Sequence, residues 1–321
     1  MEPRASILIP VYNRERFIGA CIDSALSQSI SDIEVIVCDN QSSDNTWEVV
    51  QSYAARDSRL RVFQNEVNLG PVRNWARCVA ESRSPISKIL FSDDLMSNDF
   101  LEQTLPLIQN PEVAFVFSAS EIGEEPGKGK IHYAFGTEPG IWEPGLFLVG
   151  HVFAYDLPSS PGAALFRTED LRSLLFLGDS SPMSDGFLRT GAGPDVLLFL
   201  RSESLRGRAA HVPRPLVFFR SHPDSITIGQ FDRVSPLYRR AIAKFVALHR
   251  PDLLRIYLSG IEWLLGPVKG RTEVHSILQD SDLAFKAPTR LQVCLDMRCR
   301  AWSRFLRQFR GSSPSMPFKQ Q

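Results

Sequence analysis

Residues 89–96 read ILFSDDLM, from Ile89 to Met96: an apolar run that stops on two adjacent carboxylates, Asp93 and Asp94. Residues 88–91 have the near-continuous hydrophobic texture of a strand covered on both faces, which is the signature of a parallel sheet. The same arrangement occurs upstream, where Asp39 follows the run Ile33 to Cys38. Ser6 to Pro10, Leu60 to Phe63 and Val113 to Phe117 read as further strands. Between them lie helical patterns: Phe17, Ile18, Cys21, Ile22, Ala25 and Leu26 share one face, as do Val72, Trp75, Ala76, Val79 and Ala80. Ser43 or Asp44 can cap the helix carrying Trp47, Val50 and Tyr53. Strand and helix in alternation predict right-handed crossovers in an α/β fold, with ligands bound outside the carboxyl ends of the strands.

On that topology Asp39, Asp93 and Asp94 share the ligand edge. Adjacent carboxylates raise each other's pKa unless a cation or strong donors neutralise them, so a bound Mg²⁺ or Mn²⁺ is the economical expectation. Such ions take one or two carboxylates and complete their shell with water and substrate phosphates, which points to a nucleotide-dependent enzyme. The competing reading is structural: the Asp pair starts a turn and caps a helix containing Phe100, Leu101 and Leu105.

Composition bounds the partners. The 321 residues are 43% hydrophobic and 22% charged, enough for a sizeable core, and 36 basic side chains balance 36 acidic ones. No overall field draws nucleic acid to the chain, and no nucleic-acid partner is expected. The five cysteines are odd in number and widely spread, with no Cys-x-x-Cys pair, against a disulfide framework or zinc site and for a reducing compartment. The first apolar run breaks at Pro10, too early for a signal segment, and no run approaches the ~18 residues of a membrane span. A cytoplasmic protein is expected.

From Gly123 to Pro161 the chain is rich in Gly and Pro with Tyr133, Trp142 and Tyr155 interleaved, and it reads as long loops. Regular structure is predicted to return with a strand at Ala163 to Phe166, a helix from Val196 to Ser204 and a strand at Leu216 to Phe219; beyond about residue 235 the pattern is helical. From Lys286 onward basic residues dominate, with Trp302, Phe305 and Phe309 among them and Asp296 the single acid. This tail suits either a helix docked on the main body or peripheral attachment to an anionic membrane at its inner face.

Six blocks, in order, resemble the family 2 glycosyltransferases of the GT-A fold: SILIPVYNRERFI (Ser6 to Ile18), SALSQSISDIEVIVCDNQSSDNTW (Ser24 to Trp47), NLGPVRNWARC (Asn68 to Cys78), ILFSDDL, GPDVLLFLR (Gly193 to Arg201) and PLVFFRSHPDSIT (Pro215 to Thr227). The resemblance implies a Rossmann-like, mostly parallel central sheet flanked by helices. It implies a transferase domain over residues 1–232, with a nucleotide-binding half to about 120 and an acceptor-binding half over 121–232, followed by a helical region over 233–321. The activity implied is inverting, metal-assisted transfer from a nucleoside-diphosphate sugar, UDP-linked, to a glycan or lipid-linked glycan acceptor.

The residues take roles accordingly. Pro10, Val11 and Tyr12, with Asn13 completing the turn, offer backbone groups and an aromatic face to a nucleobase. Asp39 is suited to the base N–H of uracil or guanine, or else to helix capping. Asn68 and Gly70 form a turn through which backbone approaches the nucleotide. Arg73 reaches a phosphate or is a solvated surface charge. Ser92 occupies the first position of the family's Asp-x-Asp, leaving two acids: Asp94 as the metal ligand and Asp93 toward the ribose or a metal-bound water. His222 resembles the histidine that completes the metal site. Asp195 resembles the catalytic base; Pro194 precedes it where the family carries an acid, which makes Asp185 the fallback, and an N-cap is its structural alternative. Two other classes compete. A sugar-phosphate nucleotidyltransferase would want a glycine-rich phosphate loop where Pro10 to Asn13 stand, and an inactive glycan-binding relative would not need Asp39, Asp94, Asp195 and His222 together.

Overall fold

The computed structural model describes residues 2–175, 190–223, 225, 229, 231–280 and 285–298. The first half runs β1 (Ala5–Val11), α1 (Ile18–Leu26), β2 (Ile33–Asp39), α2 (Thr46–Ala54), β3 (Leu60–Gln64), α3 (Pro71–Glu81), β4 (Ile86–Ile89), β5 (Leu95–Met96), α4 (Phe100–Ile108) and β6 (Val113–Gly123). The second half runs β7 (Lys130–His132), β8 (Gly140–Ile141), α5 (Leu146–Val152), β9 (Ala164–Arg167), α6 (Thr168–Leu175), α7 (Pro194–Arg206) and β10 (Arg208–Arg220). The helices α8 (Phe231–His249), α9 (Pro251–Leu265) and α10 (Lys269–Asp280) close it.

Ten strands form one sheet in the order β3-β2-β1-β4-β9-β6-β10-β5, with β7 on β6 and β8 on β10. The apolar runs are continuous because both sheet faces are covered. Leu8 and Ile36 point into one core with Trp75, Phe115, Phe117, Phe166 and Phe199, while Ile7, Ile9, Val35 and Val37 point into the other with Ile18, Phe100 and Val116. Each such side chain contributes roughly 1.5–3 kcal/mol by leaving water, and the period of two along each strand assigns alternate residues to opposite faces. A one-residue register slip would exchange the two cores.

The expected strands and helices of the first 120 residues form, and the differences there and further on have physical causes. β4 ends at Ile89 rather than Phe91, because the chain turns there: the Asp94 N–H donates to the Phe91 carbonyl at 3.0 Å. The sheet is only partly parallel, since β9 runs antiparallel between β4 and β6; a short apolar run carries no information on its direction. The Gly/Pro-rich middle holds a helix. α5 lacks a side-chain N-cap on Gly145, and its first N–H groups, those of Phe147 and Leu148, donate at 3.1 and 3.0 Å to Glu203 of α7. A cap delivered by one side chain 56 and 55 positions from the two N–H groups it receives is invisible to local sequence rules. β10 is longer than expected and carries irregular register near Pro213 and Pro215, which donate no ladder N–H.

α8 and α9 pack Ala243, Val246, Tyr257 and Leu258 into the same core as Phe199. Residues 290–298 are helical, and Asp296 accepts from Arg255 Nη1 and Ser259 Oγ at 2.6 and 2.7 Å. No helix among the described residues is long and apolar enough to cross a membrane. Most of the basic tail, from residue 299 on, lies outside the described residues.

Candidate active site

The carboxyl ends of β1, β2 and β4 open onto a cleft of about 1140 Å³. What shapes its centre is β5. Immediately after Asp93 and Asp94, Leu95 and Met96 pair antiparallel with Phe218 and Val217 of β10. That short ladder fixes the register between the acid pair and the end of β10: the Arg220 N–H donates to Asp94 Oδ1 at 2.9 Å, Arg220 Nε donates to the Asp93 carbonyl at 3.1 Å, and His222 Nε2 donates to Asp93 Oδ2 at 2.9 Å. Arg14 Nε adds an ion pair to Asp93 Oδ2 at 3.5 Å. Asp93 thus faces His222, and Asp94 accepts from the β10 backbone. Burial and the neighbouring Asp93 charge hold the Asp94 carboxyl well above the usual carboxylate range.

Pro10, Val11, Tyr12, Asn68, Gly70, Arg73, Ser92, Asp93, Asp94 and Asp195 all line this cleft. Tyr12 is 43% exposed, its ring open to a partner. Gly70 has φ 79°, a left-handed conformation that a side chain would strain, and Pro71 starts α3 directly after it. Three expected residues do not line the cleft. Asn13, at φ 51°, uses its side chain to accept from the Ser43 N–H at 2.8 Å. Asp39 is wholly buried, accepting from Ser42 N–H at 3.1 Å, from the Ser42 hydroxyl and from Gln64 Nε2 at 3.0 Å, so its carboxylate is satisfied by protein donors. His222 reaches the site through Asp93, its ring 5.0 Å from that of Phe17.

Asp195 lies in the first turn of α7, one residue past Pro194, and so is not the N-cap; that position is Gly193. Its Oδ1 accepts from the N–H groups of Gly193 and Val196 at 2.8 and 2.7 Å, and its Oδ2 accepts from the Tyr238 hydroxyl. Burial pushes its carboxyl up to about 7 against those hydrogen bonds. Asp185 lies outside the described residues.

The sequence reading missed several cleft residues. Asn40 is one: its amide donates to Asn68 Oδ1 at 2.9 Å and its Oδ1 accepts from Asn65 Nδ2 at 3.0 Å and Leu69 N–H at 2.9 Å. Asn74 continues the network, accepting from Asn65 and donating to the Cys38 carbonyl, both at 2.9 Å. Asn40 adjoins Asp39, and the recurrence of asparagine at 40, 65, 68 and 74 is the available signal. Arg14, Arg220 and Tyr238 also line the cleft; nothing local marks them. Below it, Lys88 is wholly buried, its Nζ donating to the Ile89 carbonyl at 3.1 Å and to the Gly162 carbonyl, and burial lowers it to about 7.

Whether these residues suit a divalent ion can be judged from the donors. Among the described residues no three His, Cys, Asp or Glu side chains gather about one point. Asp93 and His222 nevertheless converge at 2.9 Å, His222 Nδ1 is buried with no hydrogen-bond partner among the described residues, and a nearby cation would favour the ionised form of Asp94 against burial and the Asp93 charge. Two protein ligands with substrate oxygens completing the shell is the ordinary arrangement for Mg²⁺, and imidazole suits Mn²⁺. The donor set fits.

A partly parallel sheet carries an acid pair and a further buried carboxylate, Asp195, around one cleft at its carboxyl edge, and comparison with known proteins gives the class. The chain belongs to glycosyl transferase family 2, whose family model matches residues 6–174. Two relatives are an uncharacterized glycosyltransferase, EpsJ, of Bacillus subtilis (strain 168), 36% identical over 104 residues, and the UDP-Glc:alpha-D-GlcNAc-diphosphoundecaprenol beta-1,3-glucosyltransferase WfgD of Escherichia coli, 35% identical over 119. The matches cover 32% and 36% of this chain but only 30% and 46% of those proteins. The fold is that of S. aureus TarS 1–349, solved in complex with UDP, with a TM-score of 0.65 at 16% identity over 96% of this chain and 92% of that one.

Proposed function

We propose that the chain transfers a sugar, with inversion, from a UDP-linked donor to a hydroxyl of a glycan or lipid-linked glycan, assisted by Mn²⁺ or Mg²⁺. The observation that carries this is the convergence of Asp195, from α7, with Asp93 and Asp94, from the turn after β4, on one cleft. Support for the nucleotide comes from TarS, which was solved with UDP, and for the acceptor class from WfgD, whose name specifies a diphosphoundecaprenol-linked sugar.

In this reading Tyr12 offers its ring to the base, and the asparagine network holds the Asn68 to Gly70 turn so that backbone approaches the nucleotide. Arg14, Arg73 and Arg220 supply positive charge toward the diphosphate. Asp93 and His222, with Asp94 adjoining, would hold the ion, which when bound stabilises charge on the departing diphosphate. The acceptor oxygen bonds to the anomeric carbon as the bond from that carbon to the diphosphate breaks, and the acceptor proton passes to Asp195 Oδ2. Oδ1 cannot serve as well, since two backbone N–H groups already occupy it. We further propose that the chain works at the inner membrane face, where its basic C-terminal tail provides peripheral contact.

The test is a screen of UDP-, GDP- and dTDP-sugars for binding and nucleotide release, with and without Mn²⁺. Metal-dependent release of UDP is expected. Binding of none, together with an Asp93→Ala variant that behaves as the native chain, would overturn the proposal; consumption of nucleoside triphosphate with release of pyrophosphate would identify a nucleotidyltransferase instead.

A further inference from the structure

The two oxygens of Asp195 are held by different parts of the chain. Oδ1 is bound by backbone of its own helix, at 2.8 Å from Gly193 N and 2.7 Å from Val196 N. Oδ2 accepts from the hydroxyl of Tyr238. Tyr238 belongs to α8, beyond the point where the transferase domain is expected to end, and it lines the same cleft as Asp195, as does Val234 one turn earlier on that helix. A tyrosine hydroxyl placed to donate needs an acceptor when buried, and here its partner is the one carboxylate oxygen left for chemistry.

We infer that Tyr238 is a positioning residue for Asp195: its hydroxyl fixes the orientation of Oδ2 and stabilises the ionised carboxylate, so that the C-terminal helical region completes the active site. This rests on the reading of Asp195 as the base. Physically, a buried carboxylate with no donor on its outer oxygen would take up a proton and lose its basicity at neutral pH. Burial raises Asp195, and the Tyr238 hydrogen bond is the largest influence opposing it. Tyr238 pays in turn, its own phenol being pushed well above the usual range by burial and by the Asp195 charge, so it remains a donor. Tyr133 adds to that shift, while Tyr12, Arg14, Arg73, Asp93, Asp94 and Arg220 are the other ionisable groups lining the cleft.

The experiment is carried out on the full chain with Tyr238→Phe, which keeps the ring and its packing. Two readouts are combined: the carboxyl ¹³C titration of Asp195, assigned by loss of its line in Asp195→Asn, and the pH profile of UDP release from a UDP-sugar. Tyr238→Phe is expected to raise the Asp195 midpoint by about one pH unit, a tenfold gain in proton affinity, and to move the acid limb of the rate profile with it. A purely structural tyrosine would lower thermal stability while leaving the midpoint in place, and that result overturns the inference. Failure of the underlying reading looks different: Asp195→Asn would then release UDP at the native rate. The ¹³C readout needs no substrate, so it decides the role of Tyr238 in either case.

Discussion

His222 Nε2 lies 2.9 Å from Asp93 Oδ2 although the two residues are 129 positions apart. The contact exists because β5, only two residues long, clips the chain after the acid pair onto the end of β10. It makes Asp93 the acid whose orientation is set by an imidazole. Replacing His222 with Ala is therefore expected to weaken Mn²⁺-dependent UDP release by about 10- to 100-fold, the usual cost of losing an orienting partner or ligand at a metal site. Titrating Mn²⁺ against rate checks this, and an unchanged half-saturating concentration would count against the Asp93–His222 pair.

The pH dependence follows from Asp195. Its carboxyl is raised to about 7 by burial, and the base form is the ionised one, so UDP release is expected to climb with pH through about 7 and level off above it. The same shift acts on stability. At a pH below the unfolded value of about 3.8 both folded and unfolded states hold the proton; between there and about 7 only the folded state does, so stability is lost as pH rises across that window. Asp195→Asn should remove this loss. Urea unfolding at pH 4 and pH 8 measures it, and an equal effect of the substitution at both would contradict the shift.

Much of this site was legible in the sequence, and the limits were physical. Strand ends, the Asn68 to Gly70 turn and the acid pair announce themselves through local pattern, because both sheet faces are buried and Gly70 needs a positive φ. Which acid faces His222 was not legible, since it depends on the register between β5 and β10, which no short motif encodes. Asp39 shows the opposite limit. Its position after β2 suits a contact to a base or a helix cap alike, and local pattern does not show that Ser42 and Gln64 donate to it while Asn40 lines the cleft. Tyr238 was hidden for a third reason: an amphipathic helix pattern marks a buried face without saying what that face meets.

Gly191 offers a steric test. It lines the cleft at φ 75°, and a Cβ there would sit 2.6 Å from Trp75 Cη2. Gly191→Ala combines left-handed backbone strain of roughly 1–2 kcal/mol with displacement of a core indole. Loss of both thermal stability and UDP release is expected. A variant as stable and active as the native chain would show that the loop before α7 adjusts freely.

Glu203 serves stability rather than chemistry. Both its oxygens accept N–H groups at the start of α5, and burial raises its carboxyl to about 7. Glu203→Ala leaves two buried N–H donors unpaired, which is expected to cost about 2–4 kcal/mol, whereas Glu203→Gln, keeping one acceptor, should cost about half as much. Denaturant midpoints of the two variants check the order; Gln as damaging as Ala would mean that the charge, not the acceptor, matters.

Asp195 is the residue on which the proposed chemistry depends most directly. UDP-sugar binding and UDP release should be measured side by side, with Mn²⁺, for the native chain and for Asp195→Asn. Donor affinity is expected to stay within about threefold while release falls by roughly 10²- to 10⁴-fold, the usual loss on removing a general base. Release at the native rate from Asp195→Asn would contradict the account.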